Sequence, residues 1–452
     1  MPNALIWFRR DLRLADNPAL IAAVTAATQG AVQALFVLDP VPFGASSSPR
    51  TAYLLRSLRA LDRSLGGNLL VRHGRPDDVV PRVARAIGAE EVHIAADYGP
   101  YGFVRDQKVE KKLAALRVTL QRTGSPYAVA PGRVRKPDGT PYRVFTPFSK
   151  AWRTHGWRGP VDAPKGVEWL PPDQSDGLPD EPDPDVKLPD AGEQAAQRRL
   201  KAFLDGPVGE YAEDRDRPDR PGTSHLSIPL KYGELHPRTI LAALGSHRGA
   251  SPDVFRNELC WREFYADVLF HQPRTLWEPL DQNVGRVHTD SGQAADAHFA
   301  VWASGRTGYP IVDAGMRQLR ALGWMHNRVR MITASFLVKD MHLPWQRGAA
   351  HFMDWLIDGD YASNNHNWQW IAGTGTDAAP YIRVFNPVTQ GRKFDPDGLY
   401  VRQWVPELAG VEGKAVHEPW TLPDGPPEGY PAPVVDHAAE RREALARFAA
   451  VR

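Results

Sequence analysis

The residues best suited to chemistry cluster in the C-terminal half. In FRNELCWREFYADVL (255–269), Glu258, Trp261, Arg262 and Tyr265 recur at i, i+3, i+4 and i+7, so a helix puts them on one face. A carboxylate, an indole, a guanidinium and a phenol side by side are poor core material, because burying them without partners is costly. The plainer alternative for this face is a salt-bridged seam between helices. In GWMHNRVRMITASFLVKD (323–340), Asn327, Arg330 and Met331 also share a face. LIDGDYASNNHNWQW (356–370) holds Asp358 and Asp360 around a glycine, then two asparagines, then two tryptophans flanking Gln369. Paired carboxylates can hold a metal, but the spacing is not that of an EF-hand and no histidine pair supports zinc. No metal is expected, and the carboxylates suit an ion pair with Arg330 or hydrogen bonds from a bound cofactor. In YAEDRDRPDRPGTSHLS (211–227), Thr223, Ser224 and Ser227 offer hydroxyls and N–H groups beside a glycine turn. That composition suits phosphate at a helix start, although such turns are common.

The elements that must position these groups fall into two kinds. Over the first 150 residues, short apolar runs alternate with helical patterns. The runs at 4–8, 32–38, 68–73, 91–96 and 127–130 predict strands. Asp16-Asn17-Pro18 predicts a helix start. Leu54, Leu55, Leu58, Leu61 and Leu65 mark a helix, and further helices are predicted near 78–88 and 104–122. Buried strands alternating with helices predict a parallel, doubly wound (Rossmann-like) sheet. No GxGxxG follows the first strand, so an ordinary dinucleotide site there is not supported. Residues 158–192 are rich in proline, with aspartate and glycine between, and read as an extended connector. From about 193 the pattern is helical almost to the end. The resulting division is an α/β domain over 1–132, a connector over 133–192 and an all-α domain over 193–452.

The bulk numbers are permissive. Net charge is +2, so a nucleic-acid face must be a local patch. A single cysteine, Cys260, leaves no intrachain disulfide and no thiolate cluster, which suits a reducing, cytoplasmic setting. The N-terminus lacks a signal-peptide layout, and no apolar stretch is long enough for a membrane span.

Together the stretches WFRRDLRLADNPAL, PGTSHLS, NELCWREFY, TGYPIVDAGMRQLRALGWMHNRVRMITASFLVKD, LIDGDYASNNHNWQW, GTGTDAAPYIRVFNP and QGRKFDPDGLYVRQWVPEL resemble the photolyase/cryptochrome flavoprotein family, and most closely its class I bacterial enzymes for cyclobutane pyrimidine dimers. The resemblance runs from about residue 4 to about 435 and is weakest across the connector. It implies an N-terminal antenna domain and a helical domain holding FAD in a U shape. Tyr211, Thr223, Ser224, Leu226 and Ser227 match positions around the FAD phosphates, with His225 at a variable position among them. Phe255, Glu258 and Arg262 match positions lining the cofactor. Asn327 belongs to the same pocket. Arg330 and Asp358 would pair over the isoalloxazine, Asp360 would meet the ring edge or ribitol, and Asn364 would face flavin N5. An asparagine there resembles the repair enzymes, whereas plant-type signalling homologues carry an acid.

The resemblance also implies a lesion pocket. Trp261 and Trp370 would wall it, Glu258 would bond the dimer bases, and Asn327 and Met331 would line the rest. Histidines occupy that region in (6-4) enzymes. Arg215, Arg328 and Arg383 match positions beside lesion-flanking phosphates, and Gln390 is placed with the DNA contacts. Trp302, Trp345 and Trp368 match tryptophans that relay electrons to oxidised flavin. His366 and Asn367 replace small residues common before Trp368. DYGPYGFVRD (97–106) resembles the antenna region, and its Pro100-Tyr101-Gly102 with Arg105-Asp106 favours an 8-hydroxy-deazaflavin over folate. Gly99 departs from the deazaflavin pattern and Gly102 from the folate pattern. The expected protein is thus a light-driven, FAD-dependent lyase, acting as a monomer on DNA containing pyrimidine dimers and binding no membrane. A cryptochrome-type photoreceptor is the first alternative. An adenine-nucleotide protein built on the α/β domain is the second, and the lack of a glycine-rich phosphate loop argues against it.

Overall fold

The computed structural model describes residues 3–27, 30–377 and 382–451. The chain forms two compact units. One comprises Met1–Pro184, Pro189–Gly206 and Ser224–Pro273, and the other Asp185–Leu188, Pro207–Thr223 and Arg274–Arg452.

In the first unit, β1 (Asn3–Phe8), β2 (Val32–Leu38), β3 (Leu69–His73), β4 (Ala89–Ile94) and β5 (Thr119–Arg122) form one parallel sheet in the order β3-β2-β1-β4-β5. Its central strands are nearly continuous apolar runs, and every residue of β2 is buried, as covered parallel sheets require. The helices α1 (Pro18–Ala26), α2 (Ser48–Ser64), α3 (Pro76–Ala86) and α4 (Pro100–Ala115) connect the strands. The expected start of α1 is present: the Asn17 side chain accepts from Leu20 N, and Pro18 opens the helix.

Two expectations are corrected here. The helix predicted over 104–122 ends at Ala115, because Arg117 turns left-handed (φ 62°), and the chain re-enters the sheet as β5. Residues 127–130 form no strand. The N–H groups of Ala128 and Val129 instead donate to the buried carboxylate of Glu263, with Val129 at 3.0 Å. That carboxylate also accepts from Trp152 Nε1 at 2.7 Å. A side chain 135 positions away in sequence thus takes up the donors a strand partner would have used.

The segment 158–192 contains no helix. It runs against the sheet at Trp169, which bridges to Val32, so it is a packed strap. The first unit also includes α5 (Phe145–His155), α6 (Glu193–Leu204), α7 (Ser227–Tyr232), α8 (Pro237–Ala243) and the long α9 (Ala250–His271). The helices after residue 193 therefore divide between the two units, and α6 to α9 belong with the sheet.

The second unit is helical: α10 (Gln293–Ser304), α11 (Pro310–Leu322), α12 (Asn327–Ser335), a π-helical turn (Phe336–Asp340), α13 (Trp345–Trp355), α14 (Tyr361–Ala372), α15 (Pro387–Phe394), α16 (Leu399–Trp404) and α17 (His437–Ala449). Its core is built on Trp302, Leu319, Phe336, Leu337, Phe352, Trp368 and Tyr400. No described helix is long and apolar enough to cross a membrane.

His236, His351 and His366 are each pushed down to about 4, chiefly by burial. At His366, Nδ1–H donates to Ala362 O at 2.7 Å, and Nε2 accepts from Thr275 Oγ1 at 2.9 Å. The larger side chain before Trp368 is thus satisfied as neutral imidazole. A folded-state value below the unfolded one gives stability that is full above about pH 6.5 and is lost as pH falls toward 4. Burial pushes the carboxyls of Glu234, Glu263 and Asp313 up, which works in the opposite sense. The histidine share is therefore read by difference. His366→Gln should lessen the fall in unfolding free energy between pH 6.5 and 4.5 by about 2 kcal/mol. An equal fall in parent and variant, measured by urea titration, would show that His366 is charged in the fold.

Candidate active site

In the second unit, the turn from α13 into α14 and the start of α12 bring the predicted cofactor groups together. Arg330 Nη2 lies 2.9 Å from Asp358 Oδ2, and Arg330 Nε donates to Met325 O at 2.8 Å. The Asp358 side chain is almost fully buried, and among the described residues its second oxygen, Oδ1, has no hydrogen-bond partner. Asp360 caps α14 by accepting from Ser363 N at 3.2 Å. One turn later, Asn364 Nδ2 donates to Ala349 O at 3.0 Å and to Asn365 Oδ1 at 2.9 Å. Both amide protons are engaged, which leaves the carbonyl oxygen as the acceptor of the Asn364 side chain. The local folding follows from the cap and from Gly359, whose left and right neighbours need opposite roles: an ion-paired Asp358 and a capping Asp360.

Asn327 is exposed at the first position of α12, and Met331 is half-buried one turn on. Arg328, between them, is held by both oxygens of Asp216 at 2.8 Å and lies 4.5 Å from the Phe394 ring centroid. Asp216 was not legible as a partner, since it sits in a charge run (213–220) that reads as solvated surface. Arg215 lies over the ring of the buried Tyr211 at 5.9 Å. Arg383 is exposed, Gln390 is half-buried on α15, and Trp370 Nε1 donates to Asp377 O at 3.2 Å.

The relay tryptophans are partly assembled. Trp368 and Trp302 lie edge to face at 6.1 Å, and Phe352 lies 5.0 Å from Trp368. Trp368 packs so closely on Gly348 that a Cβ there would stand 2.1 Å from the indole. Trp345 is buried, yet among the described residues it has no ring contact with either indole. Trp302 is fully buried, with Nε1 donating to Thr333 O at 3.0 Å, so it is no solvent-facing terminus.

In the first unit, α9 carries Phe255, Glu258, Trp261 and Arg262. Phe255 is buried against Phe203 at 4.6 Å. Glu258 is half-buried. The Trp261 indole is stacked on Phe145 at 3.6 Å with 6° between planes, so one of its faces is already covered. Arg262 donates to Pro126 O at 3.1 Å and Leu230 O at 3.2 Å and lies over Tyr127 at 4.7 Å. These bonds give Arg262 a structural task that spacing alone does not reveal. Before α7, His225 adopts a left-handed backbone (φ 51°), and Ser224 Oγ accepts from Leu226 N at 3.3 Å, forming the turn that exposes Ser227. Thr223 is half-buried in the second unit.

At the topological switch point between β1 and β4, Arg9 pairs with Asp106 at 2.9 Å, and Arg105 with Asp106 at 2.8 Å and Asp97 at 3.2 Å. Both guanidiniums lie over Trp7, at 4.7 and 5.0 Å. Gly102 is required by this packing, because a Cβ would stand 2.0 Å from Asp97 Oδ2. Ligands of open α/β sheets bind at this point.

Known proteins agree with both units. Residues 4–166 match the family described as DNA photolyase, and residues 255–450 match the FAD binding domain of DNA photolyase. A deoxyribodipyrimidine photo-lyase of Streptomyces griseus is 42% identical, over 99% of this chain and 98% of the relative. One from Escherichia coli is 41% identical, over 100% and 99%. Among solved structures, a class III photolyase from Agrobacterium tumefaciens superposes with a TM-score of 0.93 at 38% identity, covering 100% of this chain and 98% of the other. A cryptochrome of Synechocystis gives 0.87 at 28% identity, covering 98% of each chain. The chain belongs to the DNA photolyase family, and its C-terminal part is an FAD-binding domain.

Proposed function

We propose that this chain is a deoxyribodipyrimidine photo-lyase that splits cyclobutane pyrimidine dimers in DNA under blue light. The observation that carries the reading is a pair of acceptors on one segment: the buried, unpartnered Asp358 Oδ1 and the Asn364 amide oxygen, whose own protons are engaged elsewhere. A reduced isoalloxazine presents N–H groups along one edge, and such acceptors suit it. An acid at position 364 would favour other protonation states. Bound in its reduced form, FAD supplies on illumination the electron that opens the dimer's two inter-base bonds, and it recovers that electron afterwards.

The protein's part is orientation and electrostatics. Arg330 and Asp358 would hold the ring, while Asp360 and Asn364 would bond its edge. Tyr211, Thr223, Ser224, His225, Leu226 and Ser227 would hold the phosphate side. Phe255, Arg262 and Asn327 would complete the lining. Enzymes acting on a base within a duplex, photolyases among them, first take it out of the stack. The open face of Trp261 and the indole of Trp370 would receive the lesion, Glu258 would bond its bases, and Met331 would pack beside it. Arg215, Arg328 and Arg383 would hold flanking phosphates, with Gln390 nearby, giving a salt-dependent affinity. A phosphate reaching Arg328 must displace Asp216. Trp302, Trp345 and Trp368 would return oxidised flavin to the working state. The second chromophore would be a deazaflavin, set at the Trp7–Arg105 crevice, and the enzyme would act as a monomer in the cytoplasm.

The direct test is repair of a thymine-dimer oligonucleotide by the purified, reduced protein under blue light with a dark control. Absorbance near 260 nm should recover only in the light. No recovery with reduced FAD bound would move the assignment to signalling or to (6-4) lesions. Trp261→Ala should weaken lesion binding by roughly 10- to 100-fold, since stacking is worth about 1–3 kcal/mol per base, with FAD content unchanged. Loss of FAD instead would show that this helix face has been read wrongly.

A further inference from the structure

We propose that Lys339 is a positioning residue for DNA binding: its ammonium anchors the backbone of Arg383 and so fixes where that guanidinium meets the DNA. The inference rests on the reading of Arg383 as a phosphate contact. Lys339 lies on the π-helical turn Phe336–Asp340, between the fully buried Leu337 and Asp340. π-Turns inside helices are rare and concentrate at functional sites. Only 5% of Lys339 is exposed. Its Nζ donates to Arg383 O, and it lines a cavity together with Trp370, Arg383 and Phe385.

Two further bonds join the same loop to the helices. Trp370 Nε1 donates to Asp377 O at 3.2 Å, and Phe385 N donates to Ser335 Oγ at 3.4 Å. The described flanks of the loop, 374–377 and 382–386, are thus hooked to α14, α12 and the π-turn. The indole proposed as lesion wall and the arginine proposed as phosphate contact are set by one frame.

A purely structural role fits poorly. A methionine or leucine would fill this interior without desolvating a charge, whereas buried charges need a compensating partner. Burial pushes the Lys339 ammonium down to about 8; Asp340 opposes the shift and the Arg383 guanidinium adds to it. The charge is therefore kept at neutral pH, and among the described residues its hydrogen bond goes to the main chain of Arg383.

The test uses the FAD-loaded enzyme and a thymine-dimer oligonucleotide in the dark. Lys339→Met should raise the dissociation constant about tenfold, the scale of one charged hydrogen bond. It should also lower the slope of log affinity against log salt by about 0.9, as Arg383→Ala should. Repair rate per bound FAD at saturating oligonucleotide should be unchanged, and the double variant should be no weaker than Arg383→Ala alone. Should Lys339→Met fail to retain FAD, Lys339→Gln is read by the same criteria. An unchanged dissociation constant beside a weakened Arg383→Ala overturns the role of Lys339, as does strict additivity in the double variant. If Arg383→Ala itself changes neither affinity nor slope, the phosphate reading of Arg383 falls, and this proposal falls with it.

Discussion

Asp358→Ala should strip the enzyme of FAD. The carboxylate is almost wholly buried and Arg330 lies 2.9 Å away, so truncation leaves a guanidinium without its counter-charge and removes the unpartnered Oδ1 that a ligand would use. Breaking a buried pair by removing one partner costs roughly 3–5 kcal/mol. Arg330 keeps its bond to Met325 O and some exposure, so the lower end applies. Loss of one charged hydrogen bond to the cofactor, worth about 1.5–3 kcal/mol, corresponds to roughly 10- to 100-fold weaker FAD binding. Flavin absorbance per mole of purified protein, followed by a fluorescence titration with added FAD, measures it. Asp358→Asn keeps the shape and should fall between. If both variants retain FAD fully and lose only thermal stability, the pair is a fold contact and the cofactor lies elsewhere.

Trp368→Phe should abolish most light-driven reduction of oxidised flavin while sparing repair by enzyme reduced chemically beforehand. Trp368 makes the ring contacts with Trp302 and Phe352, and its own N–H is unpartnered among the described residues, so an indole at this position is not explained by hydrogen bonding. Phenylalanine keeps an aromatic ring against Gly348 but is far harder to oxidise. The volume lost should cost about 1–3 kcal/mol of stability, so both activities are normalised to bound FAD. Trp302→Phe and Trp345→Phe discriminate the route. The Trp302–Trp368 contact predicts a strong effect at 302. A strong effect at 345 alone would show that electrons pass by the longer step. Equal loss of photoreduction and of repair in Trp368→Phe would remove this tryptophan from the relay.

Much of the candidate site is legible in short stretches. The helical spacing in 255–269 places Glu258, Trp261 and Arg262 on α9, and the Asp358-Gly359-Asp360 pattern points to an ion pair with Arg330, which is present, whereas the capping of α14 by Asp360 shows only in the structure. The apolar runs at 4–8, 32–38, 68–73 and 91–96 are strands of the sheet because period and burial are local properties of the chain.

The misses have one physical source. The 127–130 run is apolar enough for a strand, but its donors are taken by Glu263. Helix 104–122 has the right composition, but one left-handed residue, Arg117, ends it and returns the chain to the sheet. The protein partners of Arg262 and Arg328 lie far along the chain and are not legible in the sequence. Lys339 is visible in TASFLVKD as a charge within an apolar run, yet nothing in that run names Arg383, 44 positions on. Sequence by itself determined the element types, the residue chemistry and the family, because propensity, periodicity and motif order act over a few neighbours. Tertiary structure alone decided which donors and acceptors meet, because every buried polar group must find a partner and that partner can lie anywhere along the chain.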